Sequence, residues 1–119
     1  MKPTPETLQA SLDQFYGTDQ WYRHGLNPNM LYTDGVQYFA EHAGAYWLLD
    51  IIATEVFPFQ KKEPFLHITA YSREGKGSIL VDNGNGMHVH YKSIDYTDLP
   101  EGSWHFYLTD NVLLLPSEY

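Results

Sequence analysis

The stretch Phe65-Leu66-His67-Ile68-Thr69-Ala70-Tyr71-Ser72 is where the hydrophobic period of this chain changes. Ahead of it, apolar residues recur at spacings of three and four; from it onward they alternate, which is the period of a half-buried strand. The same alternation predicts strands over Gly77–Asp82, Met87–Ile94, Trp104–Thr109 and Val112–Leu115. Asn83-Gly84-Asn85-Gly86 is a strong hairpin turn, because Asn and Gly tolerate positive φ. Arg73-Glu74-Gly75-Lys76 and Asp110-Asn111 supply two further turns. Helices first and strands afterwards predict an α+β fold. Its helical part, about 4–57, is expected to pack on a four- to five-stranded antiparallel β-meander at about 65–116, all in one domain over 1–119.

The helical part begins at Thr4-Pro5-Glu6, which reads as an N-cap, a proline at the first helical position and an acid in the first turn. Leu8, Leu12 and Phe15 follow on one stripe, and Gly17 ends the helix. Residues 17–33, with Asn27-Pro28-Asn29 and the anchors Trp21, Tyr22, Leu26, Met30 and Leu31, read as an ordered loop. Asp34 is the expected cap of the main helix. Val36, Phe39, Ala40 and Ala43 form one stripe and Leu48, Leu49, Ile52 and Val56 another, on nearly opposite sides. The preferred reading is one continuous helix, buried all round in its second half and stopped by Pro58, rather than a break at Gly44.

Composition excludes more functions than it suggests. The chain of 119 residues carries 7 Lys plus Arg against 15 Asp plus Glu, a formal charge of −8. Sequence-independent binding of nucleic acid needs clustered cations, so direct nucleic-acid binding is not expected, nor is docking on an anionic membrane. The absence of cysteine removes disulfides, thiol nucleophiles and iron–sulfur clusters. No basic region followed by an apolar run opens the sequence, and the most apolar stretch, Ala45 to Phe57, is interrupted by Asp50 and Glu55. A soluble cytoplasmic protein is the expectation.

Motifs for chemistry are weak. His88 and His90 lie two apart on a predicted strand, so both imidazoles would project from one face, with Asp82 across the hairpin as a third ligand. The plainer reading has Met87, Val89 and Tyr91 facing the core and His88, His90 and Lys92 facing water. Asp50 stands within the most apolar helix, either on an exposed edge or buried against Arg23 or His24. No serine sits in a nucleophile elbow, and Gly75-Lys76-Gly77-Ser78 lacks phosphate-loop spacing. No cofactor is expected.

Charge placement says more. From His24 to Gln60 there are four acids and no Lys or Arg, and from Ser93 to Tyr119 five acids and none. Such asymmetry favours a basic partner. Aromatic content of 16% includes ten tyrosines. The surplus over the core at 15–32 and at Tyr91, Tyr96, Tyr107 and Tyr119 suits an interface.

Two blocks, Leu31-Tyr32-Thr33-Asp34-Gly35-Val36-Gln37-Tyr38-Phe39-Ala40-Glu41 and Ala43-Gly44-Ala45-Tyr46-Trp47-Leu48-Leu49-Asp50-Ile51-Ile52-Ala53, resemble the core of a small family known only as a domain of unknown function. So do Asp82-Asn83-Gly84-Asn85-Gly86, Tyr96-Thr97-Asp98 and Asp110-Asn111-Val112-Leu113-Leu114-Leu115-Pro116-Ser117-Glu118-Tyr119, while Met87-His88-Val89-His90 departs from that pattern. The resemblance implies a bacterial or mobile-element protein and supplies no activity, cofactor or catalytic residue. Small acidic proteins of phages and mobile elements are often inhibitors of host defence nucleases, anti-CRISPR proteins among them, a class-level analogy.

The resulting expectation is a non-enzymatic protein that docks on a basic protein or nucleoprotein complex, carboxylates standing in for phosphates. Its expected surface is Asp34, Glu41, Asp95, Asp98, Glu101 and Asp110, with Tyr96 and Trp104 as anchors. The alternative is a metal-binding protein or metal-dependent enzyme centred on His88 and His90. A third reading pairs two copies through Val112–Leu115 as a free edge.

Overall fold

The computed structural model describes residues 3–119. Helix α1 (Pro5–Leu12) starts as the sequence predicts, with Thr4 Oγ1 accepting the Thr7 N–H. It stops at Leu12, ahead of Phe15, whose ring packs instead on Tyr38 at 5.4 Å between centroids. The segment expected to be a loop contains two short antiparallel strands, β1 (Trp21–Arg23) and β2 (Leu31–Thr33).

Helix α2 (Asp34–Ala43) is capped by Thr33, whose hydroxyl accepts the Val36 N–H; Asp34 is the first helical residue and not the cap. The continuous main helix is corrected by Gly44, which takes the left-handed conformation at φ 64° and ends α2. Helix α3 (Tyr46–Ile51) then sets off in a new direction, and a π-turn (Ile52–Val56) and a 3₁₀ turn (Phe57–Lys61) continue it. The break resolves the conflict between the two stripes: reorientation buries Val36, Phe39, Ala40 and Ala43 together with Leu48, Leu49, Ile52 and Val56. Pro58 does not stop the run, because it lies in the first turn of the 3₁₀ segment, where no N–H is required.

Strands β3 (Phe65–Arg73), β4 (Lys76–Asp82), β5 (His88–Ile94), β6 (Gly102–Thr109) and β7 (Val112–Leu114) follow closely where period two predicts them. Their arrangement is not a meander. The sheet has seven strands in the order β1-β2-β7-β6-β3-β4-β5, and it is mixed, since β2 and β7 run parallel. After β5 the chain crosses the end of the β3–β4 hairpin and returns to pair β6 with β3, which makes β6-β3-β4-β5 a Greek key. Thr97 N–H donates to the Gly75 carbonyl at 2.8 Å and Ser72 Oγ to the Leu99 carbonyl at 3.0 Å, holding that crossing. Strand β7 lies between β2 and β6, so it is not the free edge that pairing of two copies through it would require.

The helices cover one face of the sheet. Leu66, Ile68, Ala70, Ile79, Val81, Trp104, Phe106 and Leu108 form the sheet's share of the buried core. Phe39 meets Phe106 edge-on at 5.1 Å and Trp104 at 5.7 Å. Burying such rings contributes about 1.5–3 kcal/mol each.

Candidate functional site

On the opposite face of the sheet, strand register brings three titratable side chains into a line. His67 on β3 lies across from Asp82 on β4 and from Tyr107 on β6, while His105 lies across from Thr69. Asp82 Oδ2 is 3.0 Å from His67 Nδ1, and His67 Nε2 is 3.0 Å from His105 Nδ1. The two imidazole planes differ by 8° with centroids 5.2 Å apart, so the rings stand end to end rather than face to face. Thr69 Oγ1 flanks the junction at 3.4 Å from His105 Nδ1.

This chain of bonds fixes one proton. A carboxylate only accepts, so His67 Nδ1 donates to Asp82, and a single proton lies between His67 Nε2 and His105 Nδ1. His105 Nε2 lies on the side of its ring away from His67. Partial burial, followed by the Coulombic effect of His67, holds His105 below the ordinary histidine value and favours its neutral form.

His105 also lines a groove. Strand β7 pairs only with Tyr107, Leu108 and Thr109 of β6, so the rest of β6 has an open edge on that side. Helix α1 runs alongside this edge. One cleft, of about 440 Å³, lies between Gln9, Leu12, Asp13 and His105–Tyr107 and is closed by Leu115–Ser117. A second, of about 460 Å³, adjoins it between Pro5, Glu6, Gln9, Asp13 and Glu101–Trp104. Ser117 Oγ donates to the Leu12 carbonyl at 3.3 Å and ties the closed end to the helix. The ionisable side chains lining the two clefts are Glu6, Asp13, Glu101, His67, His105 and Tyr107; among the described residues no Lys or Arg does so. Arg73 lines the cleft that continues past Gly102 and shares Pro5, Glu6, Glu101 and Ser103 with the second.

The residues expected to bind a partner are scattered. Asp95, Tyr96, Asp98 and Glu101 share the connection into β6, where Tyr96 is 77% exposed and Glu101 accepts the Glu74 N–H. Asp110 follows the other end of β6, so it does not join them. Asp34 and Glu41 are on α2 and already engaged. Asp34 accepts the Asp19 N–H at 2.9 Å, the Gln20 N–H and the Tyr22 hydroxyl; the first of these bonds chiefly holds its carboxyl below the ordinary value. Glu41 accepts the Tyr46 hydroxyl at 3.0 Å. Trp104 is not an exposed anchor: it is 2% exposed, its indole N–H donates to the Pro100 carbonyl, and it forms part of the groove wall.

His88 and His90 do not share a face either. A bulge between Val81 and Asp82 sets His88 opposite Asp82 and His90 opposite Val81, and those two neighbours point to opposite sides. His90 turns to the helical layer, against the Phe59 ring and 3.8 Å from Glu55 Oε1. Among the described residues no group of three or more His, Asp or Glu is arranged to hold a metal ion. Asp50 does pair with His24, at 2.9 Å, yet Asp50 is the exposed partner and His24 the buried one. His24 Nδ1 accepts the Leu26 and Asn27 N–H groups, so Nε2 donates to Asp50.

Sequence reasoning passed over His67, His105, Glu6 and Asp13. The alternation of β3 and β6 puts both histidines at outward positions, but nothing local says that these two strands adjoin.

A family model matches residues 6–119, the family being described as one of unknown function, DUF6876. The chain belongs to that family. No curated protein and no solved structure matches it. Among the described residues no helix is long and apolar enough to cross a membrane.

Proposed function

We propose that this member of the family is a non-enzymatic binding module that captures a basic segment of another protein through the groove beside β6. The observation that carries the reading is the lining of that groove: carboxylates of Glu6, Asp13 and Glu101, and no Lys or Arg among the described residues lining the two clefts. A chain charge of −8 adds long-range attraction of the same sign.

In its most specific form the partner is a cytoplasmic nucleic-acid-binding defence complex, and the chain is an anti-CRISPR-like inhibitor carried by a phage or mobile element. Its carboxylates then occupy positions that phosphates would take. Charge and class analogy support that form.

The test is capture of a basic partner by the full chain across a salt series, repeated with Asp13→Lys plus Glu101→Lys. Both sites are exposed, and circular dichroism checks folding. The expected result is capture that weakens with salt and falls by about tenfold or more on charge reversal. Capture indifferent to both salt and reversal overturns the reading.

A further inference from the structure

The open edge of β6 carries backbone groups as well as charge. Asp110 and Asn111, at φ 53° and 65°, make a two-residue turn that closes Thr109 onto Val112. In such a hairpin the flanking pair exchanges backbone hydrogen bonds, and alternate residues along each strand then point the same way. Counting back from Thr109, Tyr107 points its N–H and C=O at β7, and His105 and Ser103 point theirs to the same side. The other hairpin agrees: Arg73 pairs with Lys76 across its two-residue turn, so Thr69 turns its backbone groups to β4 and His105, opposite it, turns its own away from β3.

Beyond Tyr107, β7 no longer supplies partners. Its register ends with Tyr107 opposite Leu114, and the chain then leaves through Leu115 into the 3₁₀ turn Pro116–Glu118. Among the described residues no hydrogen bond reaches the backbone of Ser103 or His105 from that side. An exposed row of such groups normally calls for protection. Here α1 stands beside it across a groove instead of covering it, the layout in which peptides are added as a strand between a sheet edge and a helix.

We propose that the edge Ser103–His105 accepts an extended peptide of alternating basic and apolar residues as an added antiparallel strand continuing the line of β7. Backbone bonds to Ser103 and His105 hold it. One set of its side chains meets the apolar wall of Leu12, Trp104, Phe106 and Leu115, and cationic side chains lie near Glu6, Asp13 and Glu101. The proposal rests on the basic-partner reading and adds the mode of recognition.

The test uses the full chain and three capped hexapeptides: alternating Lys and Val, the same peptide with N-methyl groups along one backbone edge, and alternating Glu and Val. Amide hydrogen exchange is read by NMR. The Lys–Val peptide should slow exchange at Ser103 and His105 by about tenfold or more. The other two should not, nor should Lys–Val act on Asp13→Lys plus Glu101→Lys. Equal protection by the N-methylated or the Glu–Val peptide overturns strand addition by basic segments. If Lys–Val at millimolar concentration leaves both amides unprotected but shifts resonances in the acidic connection 95–101, strand addition fails and the basic-partner reading stands. Loss of every response, together with salt-indifferent capture, defeats both.

Discussion

Adding a single methyl group at Gly35 should destabilise this protein, although helix propensity argues the opposite. Gly35 lies in the first turn of α2, where replacing glycine by alanine ordinarily stabilises by about 1 kcal/mol. A Cβ at Gly35 would lie 2.5 Å from Leu115 Cδ1 and 2.7 Å from Glu118 Oε1. Glu118 cannot withdraw without consequence. Its carboxylate accepts the Thr33 hydroxyl at 2.6 Å, the Leu115 N–H at 3.0 Å and the Gly35 N–H at 3.1 Å. It therefore clamps the C-terminal segment to the positive end of α2. Overpacking costs about 1–3 kcal/mol, and displacing one charged hydrogen bond about 1.5–3 kcal/mol. Against the propensity gain, Gly35→Ala should lose about 3 kcal/mol, or about 12 °C in Tm for a chain of this size. Urea denaturation measures it, with the slope unchanged. A double-mutant cycle isolates the clamp: in a Glu118→Ala background the carboxylate's share of the obstruction is gone while Leu115 Cδ1 remains, and Gly35→Ala should cost less. Equal stability of Gly35→Ala and wild type would refute the close-approach reasoning, and equal loss in both backgrounds would assign the obstruction to Leu115 and not to the Glu118 clamp.

Two other predictions concern histidines. His105 is held below its ordinary value of 6.5, so the unfolded chain takes up its proton first as pH falls. The stability this residue contributes is therefore present above pH 6.5 and is lost as pH drops from there through the lower folded value. His105→Gln should flatten this part of the pH–stability curve, measured by urea midpoints; an unchanged slope would remove the lowered His105 value from the account. His24→Ala should cost about 2–3 kcal/mol, because it leaves the Leu26 and Asn27 N–H groups without their acceptor. Asp50→Asn should cost under about 1 kcal/mol, since its carboxylate is 54% exposed and solvent screens the pair. A reversed order in thermal melts would contradict the assigned tautomer of His24.

Much of the local structure was legible in the residues themselves. Thr4-Pro5 starts α1, period two marks β3 to β7, and the turns at Glu74-Gly75 and Asp110-Asn111 adopt positive φ. Even one bond of the candidate site was within reach: with Arg73 opposite Lys76, counting along the hairpin places His67 opposite Asp82. The errors arose where a local pattern permits two outcomes. Two opposed apolar stripes fit either one helix buried all round or two helices meeting at a left-handed Gly44, and only packing chooses between them.

The sequence by itself determined the start of α1, the strands β3 to β7 and the turns between them, because caps, periodicity and positive-φ residues act within a few positions; it did not show β1, β2 or the break at Gly44. It also determined a charge of −8, which is composition alone. Tertiary structure decided strand order. The pairing of β6 with β3 rather than β5, and of β7 with β2 in parallel, joins segments far apart in the chain through backbone groups that every residue has. That order alone sets His105 against His67, lays α1 beside an unpaired edge, and gathers Glu6, Asp13 and Glu101 around it. The side chains could not announce this meeting, because what brings them together is the common chemistry of the backbone and the burial of an apolar face they do not belong to.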